Sequence, residues 1–164
     1  MYFDVNYQPL ELTGDAPLRR HGRDGAYLSF EQQISGIASK SGAQLFLNIT
    51  QADRNTSPTT DRQIAFGVQY KGLLRSRPND VMGLGIGTTR VNSRVAAGER
   101  LLDEIAGEDV VPVQTSEYEA EVYYGWTPWP FAILRPNLQF VVHPGGSGAY
   151  ENEIVIGLKT TIEF

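Results

Sequence analysis

Apolar and polar residues alternate with period two along seven stretches of this chain. Such alternation predicts strands that turn one face to an apolar medium and the other to water. Residues 26–34 set Ala26, Leu28, Phe30 and Ile34 against Tyr27, Ser29, Glu31 and Gln33. Residues 43–51 set Leu45, Leu47 and Ile49 against Gln44, Phe46, Asn48 and Thr50. Residues 62–71 set Ile64, Phe66, Val68 and Tyr70 against Ala65, Gly67, Gln69 and Lys71. Residues 80–91 set Met82, Leu84 and Ile86 against Gly83, Gly85 and Gly87. In the second half, residues 117–126 set Tyr118, Ala120, Val122, Tyr124 and Trp126 against Glu119, Glu121 and Tyr123. Residues 131–142 set Leu134, Leu138, Phe140 and Val142 against Arg135, Asn137 and Gln139. Residues 153–164 set Ile154, Ile156, Leu158, Ile162 and Phe164 against Lys159, Thr161 and Glu163. Residues 2–7 read as the tail of an eighth strand. The pattern predicts an all-β, antiparallel chain of about seven or eight strands.

The connectors alternate in length. SGIASKSG, KGLLRSRPND and TPWP are compact; the opening 8–25, QADRNTSPTTD, residues 92–116 and HPGGSGAYEN are mostly longer and polar. Short turns at one end and long loops at the other is the layout of a transmembrane β-barrel in an outer membrane, with periplasmic turns and extracellular loops. On that reading the chain is one β-barrel domain, 1–164. Residues 1–25 are mostly extracellular loop, and 26–164 hold the strands. Ser93 is the expected cap of a short helix carrying Leu101, Leu102 and Ile105. Pro136 removes a ladder hydrogen bond within a predicted strand, so a bulge or a late strand start is expected there.

A soluble β-sandwich predicts the same alternation. Three features favour the barrel. The apolar faces read as free of formal charge, and a charge at the midplane of a lipid-facing wall costs about 2–4 kcal/mol. Tyr70, Trp126 and Phe164 end their strands on the short-turn side and point to the apolar face, with Trp129 in the adjoining turn. An interfacial aromatic girdle has that placement. The last strand closes on Phe164 behind Ile162, Leu158 and Ile156. It resembles the C-terminal assembly signal of bacterial outer-membrane proteins, which implies recognition of Phe164 and Ile162 by the barrel-assembly machinery.

Composition removes other classes. Acids outnumber bases 19 to 14, a net charge of -5, and a nucleic-acid protein would show a clustered basic surface instead. The absence of Cys excludes disulfide scaffolds, Cys-zinc sites and thiol catalysis. His21 and His143 give no basis for a metal site, and no cofactor is expected. No apolar run approaches the roughly 18 residues of a spanning helix. The opening Met1-Tyr2-Phe3-Asp4-Val5-Asn6 lacks the basic start and apolar core of a secretory signal, although the rest reads as exported.

Three segments carry a specific resemblance. GAYLSFEQQI (25–34) is similar to a strand of the carbohydrate-selective porins, the OprB family. FGVQYKGLLRSRPNDVMGLGIG (66–87) resembles that family's strand–turn–strand pattern, with Lys71-Gly72-Leu73 and Arg77-Pro78-Asn79-Asp80 at the turn. YYGWTPWPFAILRPNLQFVVHPGG (123–146) is the most distinctive, through Thr127-Pro128-Trp129, Arg135-Pro136-Asn137-Leu138-Gln139 and His143-Pro144-Gly145-Gly146. The family usually has Asn or a similar residue before that Pro-Gly-Gly, and His143 reads as a departure. The resemblance covers about residues 25–164. It implies a sixteen-stranded barrel of which this chain is the C-terminal half, completed by an N-terminal half. It further implies passive diffusion of small sugars across the bacterial outer membrane. Eight strands alone would close on an interior filled by side chains.

The polar face then becomes the pore wall. Its candidate solute-facing residues are Tyr27, Glu31, Gln33, Gln44, Asn48, Gln69, Glu119, Glu121, Tyr123, Arg135, Asn137, Gln139 and Lys159. Amides suit vicinal hydroxyls, ring faces of Tyr27, Phe46 and Tyr123 suit the C–H face of a sugar, and charges of mixed sign suit neutral solutes. An ion-selective pore would show a ring of one sign. Gly83, Gly85 and Gly87 are expected to widen the bore. Two other readings compete. One is a soluble β-sandwich carbohydrate-binding module using Tyr27, Tyr123 and the amides. The other is an outer-membrane enzyme using Glu119 and Glu121, which share a strand face as paired carboxylates. The Gly83–Gly87 run lacks the spacing and the following helix of a dinucleotide loop. No enzyme activity is expected.

Overall fold

The computed structural model describes residues 22, 24–36, 41–57 and 59–163. The predicted strand at 2–7, most of the 1–25 loop and Phe164 lie outside them. Each alternating stretch is a strand: β1 Gly25–Gln33, β2 Gly42–Ala52, β3 Thr60–Lys71, β4 Val81–Val91, β5 Ser116–Trp129, β6 Ala132–Val142 and β7 Glu153–Ile162. They pair antiparallel in chain order as one seven-stranded sheet. Trp129 therefore belongs to β5 and not to the turn. A register shift between Trp126 and Trp129 sets Trp129 opposite Ala132, on the apolar side. Its ring stacks on Phe131 at 6.0 Å.

The registers convert alternation into rows that cross the sheet. One apolar row runs Phe30, Leu47, Phe66, Ile86, Ala120, Phe140, Ile154. The next runs Gln32, Leu45, Val68, Leu84, Val122, Leu138, Ile156. These side chains are not packed away: Ile156 is 83% and Leu84 52% exposed, and the buried hydrophobics are Ala43, Ala96 and Ala132. No second layer covers the sheet among the described residues. A sandwich needs one, so the soluble alternative is not the architecture. The sheet is an unclosed wall with an apolar side and a polar side.

The apolar side is clean only in its middle. Arg62 and Arg90, paired to each other, share the face of Ile64 and Ile86 at the long-loop end. Asp80 precedes Met82 by two residues at the other end and is 5% exposed. The expectation of a charge-free face thus fails at both rims of the sheet.

Pro136 produces neither a bulge nor a late start. Strand β6 begins at Ala132, and its register with β7 is unbroken through Pro136↔Leu158. On the β5 side, pairing runs to Tyr123↔Asn137 and resumes at Trp126↔Leu134. Both backbone groups of a residue in an antiparallel strand face the same neighbour. The missing donor accordingly costs the β5 ladder and spares the β7 ladder.

The long loops are knitted together. Helix α1, Ser93–Ala106, is capped by Asn92 and not by Ser93, which is its first residue. The fully buried Asn92 side chain accepts from the Arg94 N–H at 3.0 Å. It also donates to the carbonyls of Arg54 at 2.8 Å and Ser57 at 2.7 Å, tying the helix start to the β2–β3 loop. Beside it Asp61, 1% exposed, takes two bonds from Arg90 at 2.7 and 2.9 Å. Arg54 lies 3.3 Å from the same carboxylate. The β6–β7 loop turns at His143, the one non-glycine residue with positive φ among those described, at 54°. His tolerates that conformation better than most residues.

Candidate functional site: the polar wall

The other side of the same sheet carries the functional candidates. Three polar rows follow from the registers. The first joins Ser29, Asn48, Ala65, Gly87, Glu119 and Val141. The second joins Glu31, Phe46, Gly67, Gly85, Glu121 and Gln139. The third joins Gln33, Gln44, Gln69, Gly83, Tyr123 and Asn137. Tyr27, opposite Thr50, sits beyond the first row at the long-loop end and is 84% exposed. Arg135 and Lys159 lie opposite each other beyond the third.

Most of these side chains form one chain of contacts across six strands. Gln44 donates to Glu31 at 2.9 Å, Gln69 to Gln44 at 2.8 Å, and the Tyr123 hydroxyl to Gln69 at 3.1 Å. The Arg135 guanidinium lies 3.3 Å above the Tyr123 ring. It also reaches Glu121 at 3.3 Å, and Asn137 donates to the same carboxylate oxygen at 3.0 Å. Like charges directly opposite repel, and Arg135 turns from Lys159 toward this acceptor. Ser29 and Asn48 form a separate bonded pair at 2.7 Å. Gln33 donates to the Ser35 carbonyl and leaves the chain of contacts. No hydrogen bond joins Tyr27, Glu119, Gln139 or Lys159 to it among the described residues.

The glycines are covered, which corrects the expectation of a stripe without side chains over it. A methyl group at Gly83 would overlap the Tyr123 ring, and one at Gly67 would meet the Phe46 ring at 2.5 Å. The Phe46 ring reaches Gly85 as well, 3.5 Å from where a methyl group would sit. Glu119 leans over Gly87 at 3.0 Å. Glycine here lets large side chains lie flat against the wall instead of standing away from it.

At the short-turn end, aromatics collect on the apolar side. Tyr70, Met82 and Tyr124 share a row, and Trp126 lies 5.6 Å from the Arg77 guanidinium. Tyr124 belongs to this group too, and its hydroxyl donates to Asp80. The Asp80 carboxylate also accepts the Thr127 N–H at 2.9 Å, clipping the β3–β4 turn to β5. Such a clip leaves no mark in sequence beyond a turn aspartate.

The family described as "Carbohydrate-selective porin, OprB family" matches residues 1–164. Porin B of Pseudomonas aeruginosa is 37% identical over 173 residues, covering 100% of this chain and 38% of that protein. The putative porin QuiX of Acinetobacter baylyi is 28% identical, covering 84% of this chain and 34% of that protein. The high-pH structure of Pseudomonas putida OprB superposes with a TM-score of 0.87 at 34% identity, over 99% of this chain and 40% of that one. Its low-pH structure gives 0.61 at 26% identity, over 87% and 37%. The chain thus spans about two fifths of the length of the relatives it matches. On the match to the whole chain, and on a sheet that superposes on part of a porin wall, this chain belongs to the OprB family of carbohydrate-selective porins.

Proposed function

We propose that this chain is the C-terminal part of the wall of an outer-membrane porin that passes small neutral sugars by diffusion. The observation that carries the reading is the polar chain of contacts from Glu31 to Asn137 on one side of a sheet whose other side is apolar and uncovered. In this reading the apolar side meets outer-membrane lipid, the aromatics at the short-turn end sit at the interface, and the polar side meets water. The remaining strands come from an N-terminal half of the same barrel. The last strand, with Ile162 and Phe164, is read by the barrel-assembly machinery.

The wall binds weakly and does no chemistry. Amides and carboxylates offer exchangeable hydrogen bonds to hydroxyl groups, while Arg135 against Glu121 keeps the local charge balanced. Solute moves when each bond is replaced by the next or by water, as conduction through any selective pore requires. Glu121 is occupied by Arg135 and Asn137, which argues against a free carboxylate pair with Glu119.

Swelling of liposomes containing the complete barrel tests this. Neutral hexoses should enter faster than sugar acids of similar size. Equal entry of both, or none of either, refutes the reading.

A further inference from the structure

The wall holds several aromatic rings, and they are not equally available. Tyr123 lies over the Gly83 backbone, and its other face is taken by the Arg135 guanidinium at 3.3 Å. Its hydroxyl is bonded to Gln69. Phe46 lies across Gly67 and Gly85, and among the described residues no ring or cation covers its outer face. Above it, Ala65 and Gly87 leave the wall low, and Glu119 rests over Gly87 without a hydrogen-bond partner among the described residues. Gly85 and Gly87 point the same way, about 7 Å apart along the strand. The tip of the Phe46 ring and the Glu119 carboxylate are anchored at those two points.

We propose that Phe46 and Glu119 form a stacking subsite for a pyranose ring, Phe46 meeting its C–H face and Glu119 accepting from an edge hydroxyl. Tyr123 takes no part in stacking and serves instead to position Arg135 and Gln69. The proposal rests on the porin reading above, and it assigns the aromatic contact to a half-buried residue whose outer ring face carries no ring or cation among the described residues. The glycine floor is what frees it. A side chain at Gly67 would stand the ring upright and remove the flat platform.

The test is the block of ion current by glucose through the complete barrel in planar bilayers, with open-chain sorbitol as the control. Phe46→Leu keeps an apolar cover over the glycines and removes the ring face. Glucose affinity should fall about threefold to tenfold, the size of one aromatic contact. Sorbitol affinity should fall far less than glucose affinity, and Phe46→Tyr should behave as wild type. Glu119→Gln should weaken glucose about threefold, and it carries the test if Phe46→Leu fails to assemble. Unchanged glucose affinity in Phe46→Leu and Glu119→Gln overturns the proposal. So does an equal loss for glucose and sorbitol, which would mean bore shape and not a ring face. A wild-type barrel that glucose neither blocks nor crosses sinks the porin reading itself, and the subsite with it.

Discussion

Asn92 performs two tasks that one pair of substitutions separates. It caps helix α1 through its side-chain oxygen and holds two carbonyls of the β2–β3 loop through its side-chain nitrogen. Asn92→Ala removes both. The lost cap costs about 1 kcal/mol. The Ser57 carbonyl, on a residue only 8% exposed, loses its donor at a cost of about 1–3 kcal/mol. The Arg54 carbonyl is better placed for water and adds little. The sum is about 2–4 kcal/mol of local stability, or roughly a 30-fold to 1000-fold loss of hydrogen-exchange protection. Protection should fall at α1 and at residues 54–57 together, while the strand centres keep theirs. Asn92→Asp retains the cap, and its charge favours a helix N-terminus. It nevertheless turns a carboxylate toward two carbonyls in a site with no exposure. If loop pinning matters as argued, Asp should protect no better than Ala. Wild-type protection in Asn92→Asp would refute the reasoning and leave capping as the whole role.

Three further outcomes are expected. Gly83→Ala should lower the denaturant midpoint of the complete barrel by the equivalent of about 1–3 kcal/mol, because the Tyr123 ring must lift. Gly85→Ala, where the nearest atom is 3.5 Å away, should stay within about 0.5 kcal/mol, and equal effects would contradict the covered-stripe geometry. Arg135→Ala should uncover the Glu121 charge and raise cation over anion permeability, measured as a reversal potential under a salt gradient. Glu163→Ala, at the end of the last strand, should change it far less. Asp80→Ala should lower the thermal midpoint by the equivalent of about 2–3 kcal/mol, since the Thr127 N–H and the Tyr124 hydroxyl both lose their acceptor. Accelerated proteolysis within residues 72–80 would be its local mark.

The strands were legible because the physics that places them is local. Two environments lie on opposite faces, so residues such as Leu45, Leu47 and Ile49 announce their strand within a short window. Strand bounds came within two residues of the expected ones, apart from the run of β5 to Trp129. What escaped depends on partners distant in sequence. Asn92 rather than Ser93 caps the helix because only Asn92 meets carbonyls of another loop. Pro136 keeps its register because the lost bond falls on the interrupted β5 ladder. The glycine stripe looked bare because the rings that cover it come from neighbouring strands. Of the candidate wall residues, face was readable and function was not. Alternation sorts Phe46 and Tyr123 alike, and only their neighbours distinguish an open ring from an occupied one.

The count of strands has a geometric consequence of its own. Among the described residues, seven antiparallel strands in chain order leave the two outermost, β1 and β7, running in the same direction. They cannot join each other by the hydrogen-bond pattern used everywhere else in the sheet. A cylinder in which every neighbour is antiparallel therefore needs an odd number of additional strands. One more would give a backbone radius of about 8 Å, the size at which side chains fill the middle. Nine more would give about 16 Å. In that wider cylinder, rings and guanidinium groups that lie flat on the wall leave an open axis for water.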